Sequence, residues 1–286
     1  MRYGKLDYSG EKLAPFRPPA GHPYLELEAV SPSGAIRQAW ELEAHFQQPD
    51  RQLILEANSE SEVKLRLGAC AKEPWTVELI ESLAPGDVFW DVGANVGPYT
   101  LLAAARRLQV VAFEPVLENA ATLERNLAMN GLSDRVIVLP RALGGGTGMA
   151  WLHISDFASG SANHLITDSP SKRSLHKQLI TLETADELVQ RFGLPLPHGI
   201  KIDVDGAELD VLRGMEGLVL THAGLRALIV EFNTQADEAP LTWIAEHGWA
   251  KTFESEVRGG GSSGVYYAGF ERAAPVASVS VPRSNR

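Results

Sequence analysis

The pattern of apolar and polar positions predicts strands alternating regularly with helices from Trp75 onward. Short apolar runs typical of buried strands are DVFWDVG, QVVAFEP, VIVLPRALG, HGIKIDV and ALIVEFN. Helical spacing is found between them, at residues 75–83, after Gly97, and at 119–129, 184–192 and 208–220. This alternation predicts a mostly parallel sheet with helices on both faces, joined by right-handed crossovers.

The pattern in the C-terminal part of the chain predicts antiparallel strand pairing. Two short strands, WAKTFESEV and GVYYAGF, flank the glycine-rich run GGGSSG at 259–264, which indicates a hairpin. The predicted fold is therefore an α/β, Rossmann-like sheet of seven strands that ends in an antiparallel hairpin. Such an ending differs from the all-parallel sheet of dinucleotide-binding domains.

The remaining segments divide the chain into three parts. Within residues 1–72, the composition up to about residue 22 predicts a proline-rich arm. A small α+β segment is predicted to follow it, made of YLELEAV, AIRQAWELEAHF and RQLILEA. We place the main domain at 73–270 and a loose tail at 271–286. Within the main domain, the polar stretch from about Ser155 to Ser174 is too long for a plain connector, which indicates a functional or disordered loop.

Composition and charge narrow the classes of partner. The 286 residues carry a formal net charge of -10, which disfavours a nucleic acid as the partner. No run approaches the roughly 20 apolar residues that span a bilayer, and the start lacks the apolar core of a secretory signal, so we expect a cytoplasmic protein. The single cysteine, Cys70, suits a reducing compartment; a buried apolar role is the simpler interpretation and a catalytic thiol the alternative. The sequence does not decide whether the protein forms a homo-oligomer.

The segment DVGANVG, Asp91 to Gly97, follows the first predicted strand of the main domain. Gly93 and Gly97 would allow a tight turn close to a ligand, and the next helix offers free N–H groups. Glu114 lies 23 residues after Asp91 at the end of the next strand, where an acidic side chain can bind ribose hydroxyls. The loop lacks the G-x-G-x-x-G arrangement that binds a pyrophosphate, so we expect a nucleoside ligand without phosphate.

Four blocks in order resemble one family, the FkbM methyltransferases that depend on S-adenosylmethionine: DVGANVGPYTLLAA, VVAFEPVLENAATLERNLAMNGL, RALG and IKIDVDGAELDVLRGM. The resemblance runs from about Glu73 to Phe232. It implies a class I methyltransferase fold with S-adenosylmethionine as cofactor. It also implies which residues line the cofactor. For the methionine part these are Asp91, Gly93, Asn95 and Gly97; for the ribose Glu114; for the adenine Pro115, Ala142 and Leu143; and for the walls Tyr99, Thr100 and Asn119.

The block IKIDVDGAE gathers three carboxylates, Asp203, Asp205 and Glu208, after a strand. Asp203 could position the cofactor or substrate, and this is the interpretation we favour. Asp205 could instead be a solvated charge that caps the next helix, or the three could bind a divalent metal. Our predicted site contains no metal.

Two further kinds of residue are candidates for the substrate side. Glu231 ends the strand in LIVEFN, where a plain strand-end charge is equally consistent. His153, His164 and His176 lie in or near the polar loop; a histidine could act as a general base, although solvated loop positions explain them as well. We take Asp203, Glu231 and His164 as the catalytic candidates.

The predicted function is O-methylation of a hydroxyl on a sugar or natural-product small molecule, with a carboxyl group as the alternative acceptor. Two other classes compete: a nicotinamide-dependent oxidoreductase that uses Glu114 on the ribose, and a non-catalytic protein that retains the cofactor-binding fold.

Overall fold

The computed structural model describes residues 27–30, 53–56, 69–154, 165–166, 176–234, 238–258 and 264–272. The strands are β1 (Leu27–Val30), β2 (Leu53–Glu56), β3 (Val88–Val92), β4 (Gln109–Phe113), β5 (Val136–Leu139), β6 (Ala142–Leu143), β7 (Gly148–Ile154), β8 (Leu165–Ile166), β9 (His176–Glu183), β10 (Gly199–Ile202), β11 (Ala227–Asn233), β12 (Trp249–Glu254) and β13 (Val265–Arg272). The helices are α1 (Ala69–Lys72), α2 (Pro74–Ser82), α3 (Pro98–Ala105), α4 (Leu117–Asn130), α5 (Ala185–Phe192), α6 (Glu208–Arg213) and α7 (Ala239–Glu246).

The central sheet has seven strands among the described residues, in the order β12-β13-β11-β10-β3-β4-β5. The neighbours from β11 to β5 are parallel, whereas β13 runs antiparallel to both β11 and β12. The mostly parallel sheet with an antiparallel C-terminal hairpin is thus confirmed. Because β3 lies between β10 and β4, the carboxyl ends of these three strands meet at the middle of one edge, where ligands bind in open α/β sheets.

Helices cover both faces of this sheet. On one face, α2 and α3 pack over a core that includes Phe89, Leu101 and Ala112. On the other face, α5 and α6 pack over a core that includes Trp90 and Ile200. Strand residues next to one another in sequence therefore point into different cores, as their alternation requires.

The segment 142–183 differs from our expectation. It forms a second sheet with the order β6-β9-β7-β8, in which β7 and β9 pair antiparallel. The run VIVLPRALG is not one strand: β5 ends before Pro140, which has no N–H to donate, and Ala142 and Leu143 pair with β9 instead. Of the predicted polar loop, only the short strand β8 lies in the described part of the chain.

Two strands before residue 69 fall on the segments YLELEAV and RQLILEA, which were predicted as strands. β1 and β2 pair in parallel, and Leu53 and Leu55 of β2 are fully buried in the core beneath α3 and α4. The predicted arm, the helix from Ala35 and most of the tail lie outside the described residues. β13 extends to Arg272, two residues beyond the predicted end of the domain.

Candidate functional site

The loop after β3 requires glycine at its first position. Gly93 has a φ of +85°, and a Cβ there would lie 1.9 Å from the backbone oxygen of Asp203. The amides of Gly93 and Ala94 both donate to the carbonyl of Phe113, at 2.9 and 3.0 Å. The loop is therefore held between the ends of β10 and β4, and it forms the tight turn that its glycines predicted.

The loop also needs glycine where it enters α3. Gly97 has a φ of +89°, and a Cβ there would lie 2.1 Å from Cδ1 of Leu123. Asn95 adopts a left-handed conformation with a φ of 54°, which asparagine tolerates better than most residues. The turn thus places the N-terminus of α3 at the carboxyl edge of the sheet.

The carboxylate of Glu114 is fixed by two backbone amides. Its Oε2 accepts from the N–H of Asn95 at 2.8 Å, and its Oε1 accepts from the N–H of Val116 at 2.9 Å. Glu114 thereby links the end of β4 to the loop after β3. Since a carboxylate has about four lone-pair sites, it can accept ribose hydroxyls in addition.

Asp91 presents a buried carboxylate near the end of β3. Its Oδ2 accepts from the hydroxyl of Thr100 at 2.6 Å, whereas its Oδ1, also buried, has no hydrogen-bond partner within the described ranges. Burial raises the pKa of Asp91, and Lys201 and Thr100 counter part of that rise. A buried polar atom without a partner costs about 1–3 kcal/mol, which an ammonium group of a ligand would offset.

Lys201 is a buried cation that sequence reasoning did not select. It lies directly across from Asp91 in the register of β10 and β3, and its Nζ donates to Oδ2 of Asp203 at 2.5 Å. Burial disfavours its charge, but the carboxylates of Asp203, Glu73 and Asp91 outweigh this and raise its pKa. Lys201 is therefore an ammonium that neutralises part of a carboxylate cluster.

Two more buried groups from distant parts of the chain complete this cluster. Glu73, just before α2, accepts from the hydroxyl of Tyr267 in β13 at 3.0 Å, across 194 residues of sequence. Lys72, on the outside, lies 3.2 Å from the same oxygen of Glu73. A glutamate ahead of a helix and a tyrosine in a strand carry no signal of such a contact, so the sequence could not reveal it.

Glu231 lies beside this pair. It is opposite Tyr267 in the antiparallel register of β11 and β13. Burial, together with the charge of Asp203, raises the pKa of Glu231 to about 8. The catalytic candidates Asp203 and Glu231 therefore share one environment.

The other acidic residues of IKIDVDGAE separate in the structure. Asp205 is exposed in the bend after β10, and the N-cap position of α6 is Ala207. Glu208 is buried, accepts from the N–H of Gly206 at 2.9 Å, and has its pKa raised to about 7 by burial. No group of three residues suited to holding a metal occurs in the described part of the chain.

The remaining predicted cofactor residues surround the loop and the end of β4. Tyr99 is buried and donates to the carbonyl of Ala69 at 2.7 Å, and Asn119 is buried in α4. The carbonyl of Pro115 accepts from Gln178 at 2.7 Å.

Ala142 and Leu143, which the resemblance assigns to adenine, occupy different environments. Ala142 packs in a small cluster with Val116, Leu152 and Ile180, next to the end of β4. Leu143 packs in the core beneath the sheet. Any contact of Leu143 with a ligand would thus involve its backbone.

The remaining candidates are the histidines and the cysteine. His153 is buried in β7, which overturns its interpretation as a solvated loop residue, whereas His176 is exposed at the start of β9. His164 lies outside the described residues. Burial raises the pKa of Cys70 to about 12, which keeps the thiol protonated and agrees with an apolar role.

A family model described as the methyltransferase FkbM domain matches residues 91–252, more than half of the chain. This match confirms the resemblance carried by the four sequence blocks. No helix in the described ranges combines the length and the apolar character that crossing a membrane would require.

Curated relatives match about half of the chain. Hexuronic acid methyltransferase AglP of Haloferax volcanii is 32% identical over 168 residues, which cover 57% of this chain and 63% of AglP. AMB antimetabolite synthetase AmbE of Pseudomonas aeruginosa is 30% identical over 55% of this chain and 9% of its own length. Methyltransferase 1 of Beauveria bassiana is 29% identical over 46% of this chain and 60% of its own length. The chain thus spans less than two thirds of each of these relatives.

Solved structures align more distantly. M. capricolum TrmK in complex with S-adenosyl-homocysteine aligns with a TM-score of 0.43 and 10% identity, over 69% of this chain and 67% of TrmK. The METTL16 methyltransferase domain aligns with a TM-score of 0.45 and 15% identity, over 73% of this chain and 69% of that domain.

Proposed function

The chain belongs to the methyltransferase FkbM domain family, and on that premise we propose that it transfers a methyl group from S-adenosylmethionine to a hydroxyl oxygen of a sugar or natural-product small molecule. The observation that carries this proposal is the pairing of two acidic groups at the ends of adjacent strands. Asp91 holds a buried oxygen without a partner among the described residues, and Glu114 presents a carboxylate fixed by backbone amides.

The residues present suit this cofactor. When bound, it supplies an electrophilic methyl group on a sulfonium. Asp91 would accept from the ammonium of the amino-acid part, Glu114 would accept from the ribose hydroxyls, and the loop from Gly93 to Gly97 would lie against the amino-acid part. The excess of carboxylates over ammonium groups around Lys201 favours a ligand that carries positive charge.

The chain's own contribution to the reaction is alignment and proton acceptance. Positioning two reactants can supply about 7–11 kcal/mol of the barrier, whereas a general base adds roughly 10²–10⁴-fold. Asp203, held by Lys201, and Glu231, opposite Tyr267 in β13, are the groups we assign to the acceptor side. Either could receive the proton of an acceptor hydroxyl at that edge of the sheet.

The sugar class of acceptor is supported by the relative named as a hexuronic acid methyltransferase. A hexuronic acid offers both hydroxyl groups and a carboxylate, so hydroxyl and carboxyl methylation are both part of the test. A carboxylate is already ionised and would need no base.

The test uses S-adenosylmethionine labelled in its methyl group and a panel of glucuronic acid, galacturonic acid and the matching neutral hexoses. We expect label in a product that survives mild alkali, because an ether does and an ester does not. Asp203→Asn should abolish transfer, and the matched variant Asp205→Asn, two residues away and exposed, should keep it. If neither S-adenosylmethionine nor S-adenosylhomocysteine binds the protein, the proposed function is wrong.

A further inference from the structure

Two buried hydrogen-bond donors lie next to each other without a partner in the described part of the chain. They are Nη1 of Arg258 and Nε1 of Trp75. The guanidinium of Arg258 lies over the ring of Trp75, with its carbon 5.1 Å from the ring centroid. Neither nitrogen can accept a hydrogen bond, so any group that satisfies the two must be an acceptor.

The chain between β12 and β13 places Arg258 beside the acceptor side of the site. Its N–H donates to the carbonyl of Val265 at 2.7 Å, and its carbonyl accepts from the N–H of Val265 at 2.9 Å. Val265 is opposite Asn233, the last residue of β11. Two positions further along β13, Tyr267 is opposite Glu231, and the ring centroid of Tyr267 is 6.0 Å from the guanidinium carbon of Arg258. The guanidinium therefore lies one side chain away from an acceptor-side carboxyl group.

Arg258 differs from the two lysines of this region because no carboxylate of the described ranges pairs with it. Lys201 donates to Asp203, and Lys72 lies 3.2 Å from Oε1 of Glu73. Arg258 forms no ion pair among the described residues, and it is half-buried, so a ligand can still reach it. A guanidinium in that position is a site for an anion from outside the chain.

A second arginine stacked on a tryptophan, at the other end of β13, provides a comparison within the same chain. The guanidinium of Arg272 lies over Trp249, 4.8 Å from the ring centroid. It also donates to the carbonyl of Leu220 and, at 3.0 Å, to the carbonyl of His222. Stacking on tryptophan is thus compatible with acceptors supplied by the fold, and at Arg258 the described residues supply none.

We propose that Arg258, with the indole N–H of Trp75 beside it, binds the carboxylate of an acidic sugar acceptor, a hexuronic acid, and so selects it over a neutral sugar. This inference rests on the proposed function. A carboxylate has two oxygens and about four lone-pair sites, so it can accept from the guanidinium and from the indole together. The carboxylates around Lys201 would repel an anionic acceptor, and the charge of Arg258 offsets that repulsion.

The experiment measures acceptor binding without turnover. Glucuronate and glucose, which differ only in the carboxylate or hydroxymethyl group on the ring, are titrated by calorimetry into the whole protein saturated with S-adenosylhomocysteine at pH 7. Galacturonate and galactose form a second matched pair. In at least one pair we expect the uronate to bind about 10–100-fold more tightly than the neutral sugar, because hydrogen bonds to charged groups are worth this factor.

Four variants assign the preference to this pair of donors. Arg258→Met removes the charge and should abolish the preference for the uronate, while S-adenosylhomocysteine binds as in the wild type. Arg258→Lys keeps the charge but loses the planar fork, so part of the preference should remain. Trp75→Phe keeps an aromatic ring and removes only the N–H, which should reduce the preference by about threefold to tenfold. Arg272→Met, the matched control, should keep it in full.

The outcomes separate the two proposals. If S-adenosylhomocysteine binds but neither uronate binds better than its neutral sugar, the role of Arg258 is wrong and the methyltransferase function still stands. An undiminished preference in Arg258→Met also overturns that role. Failure of both S-adenosylmethionine and S-adenosylhomocysteine to bind overturns the proposed function and this inference with it. Should Arg258→Met not fold, the wild-type comparison, Arg258→Lys and Trp75→Phe still decide.

Discussion

Replacing Gly93 with alanine tests whether the close approach of the loop to β10 builds the site. The new Cβ would lie 1.9 Å from the backbone oxygen of Asp203, and neither backbone can move freely because the N–H of Asp203 donates to Val92 at 2.9 Å. The chain offers a matched control in Gly86, which has a similar φ of +93° but nothing within 4 Å of its Cβ.

The two variants share one energetic cost and differ in another. An alanine in left-handed conformation costs about 1–2 kcal/mol at either position. At Gly93 the overlap with Asp203 adds about 1–3 kcal/mol, typical of overpacking. We expect Gly86→Ala to lose about 1–2 kcal/mol of unfolding free energy and Gly93→Ala about 2–5 kcal/mol. A total stability of about 10 kcal/mol, in the middle of the usual range, would leave both proteins folded.

The assays are urea unfolding followed by tryptophan fluorescence and calorimetric binding of S-adenosylhomocysteine. Gly93→Ala should also bind at least about tenfold more weakly, a loss of about 1.4 kcal/mol, since the loop must move away from β10. Gly86→Ala, at the other end of β3, should bind like the wild type. Equal stability and equal affinity of the two variants would show that the contact with Asp203 is not what requires glycine.

Three further predictions concern single side chains. Glu114→Gln should weaken S-adenosylhomocysteine binding in the same assay by at least about tenfold, because its amide would oppose backbone N–H donors, whereas Glu118→Gln, exposed in the next helix, should not. Cys70 should resist a thiol reagent in the folded protein and react once urea unfolds it, since burial raises its pKa to about 12; rapid labelling of the native protein would contradict this. The pKa of Glu231 rises from 4.5 to about 8 on folding, so the folded state binds more protons between these values and stability should fall as pH rises through that window. Between pH 5 and 8, the urea midpoint should fall less steeply with rising pH in Glu231→Gln than in the wild type, with a residual slope from Glu208. An unchanged slope would show that Glu231 does not have the raised pKa.

The sequence by itself determined most of the central sheet and the position of the glycine turn at its edge. Buried parallel strands are continuous apolar runs, so β3, β4, β10 and β11 were visible locally, and so were the turn from Gly93 to Gly97 and the acid at the end of β4. A positive φ or a close approach of two backbones requires glycine, so such positions can be recognised in a sequence. Both conditions hold at Gly93.

Only the tertiary structure decided the second sheet and the charge cluster. β7 and β9 are half-exposed and gain their stability from pairing with each other. Neither strand is an apolar run, so the sequence does not predict this pairing. Glu73 and Tyr267 meet across 194 residues because α2 packs beside β13, and Lys201 is buried because Asp91 and Asp203 neutralise it. A charge is stable in the interior only when its partners are present, and the partners of these groups come from separate strands and helices that the fold alone brings together.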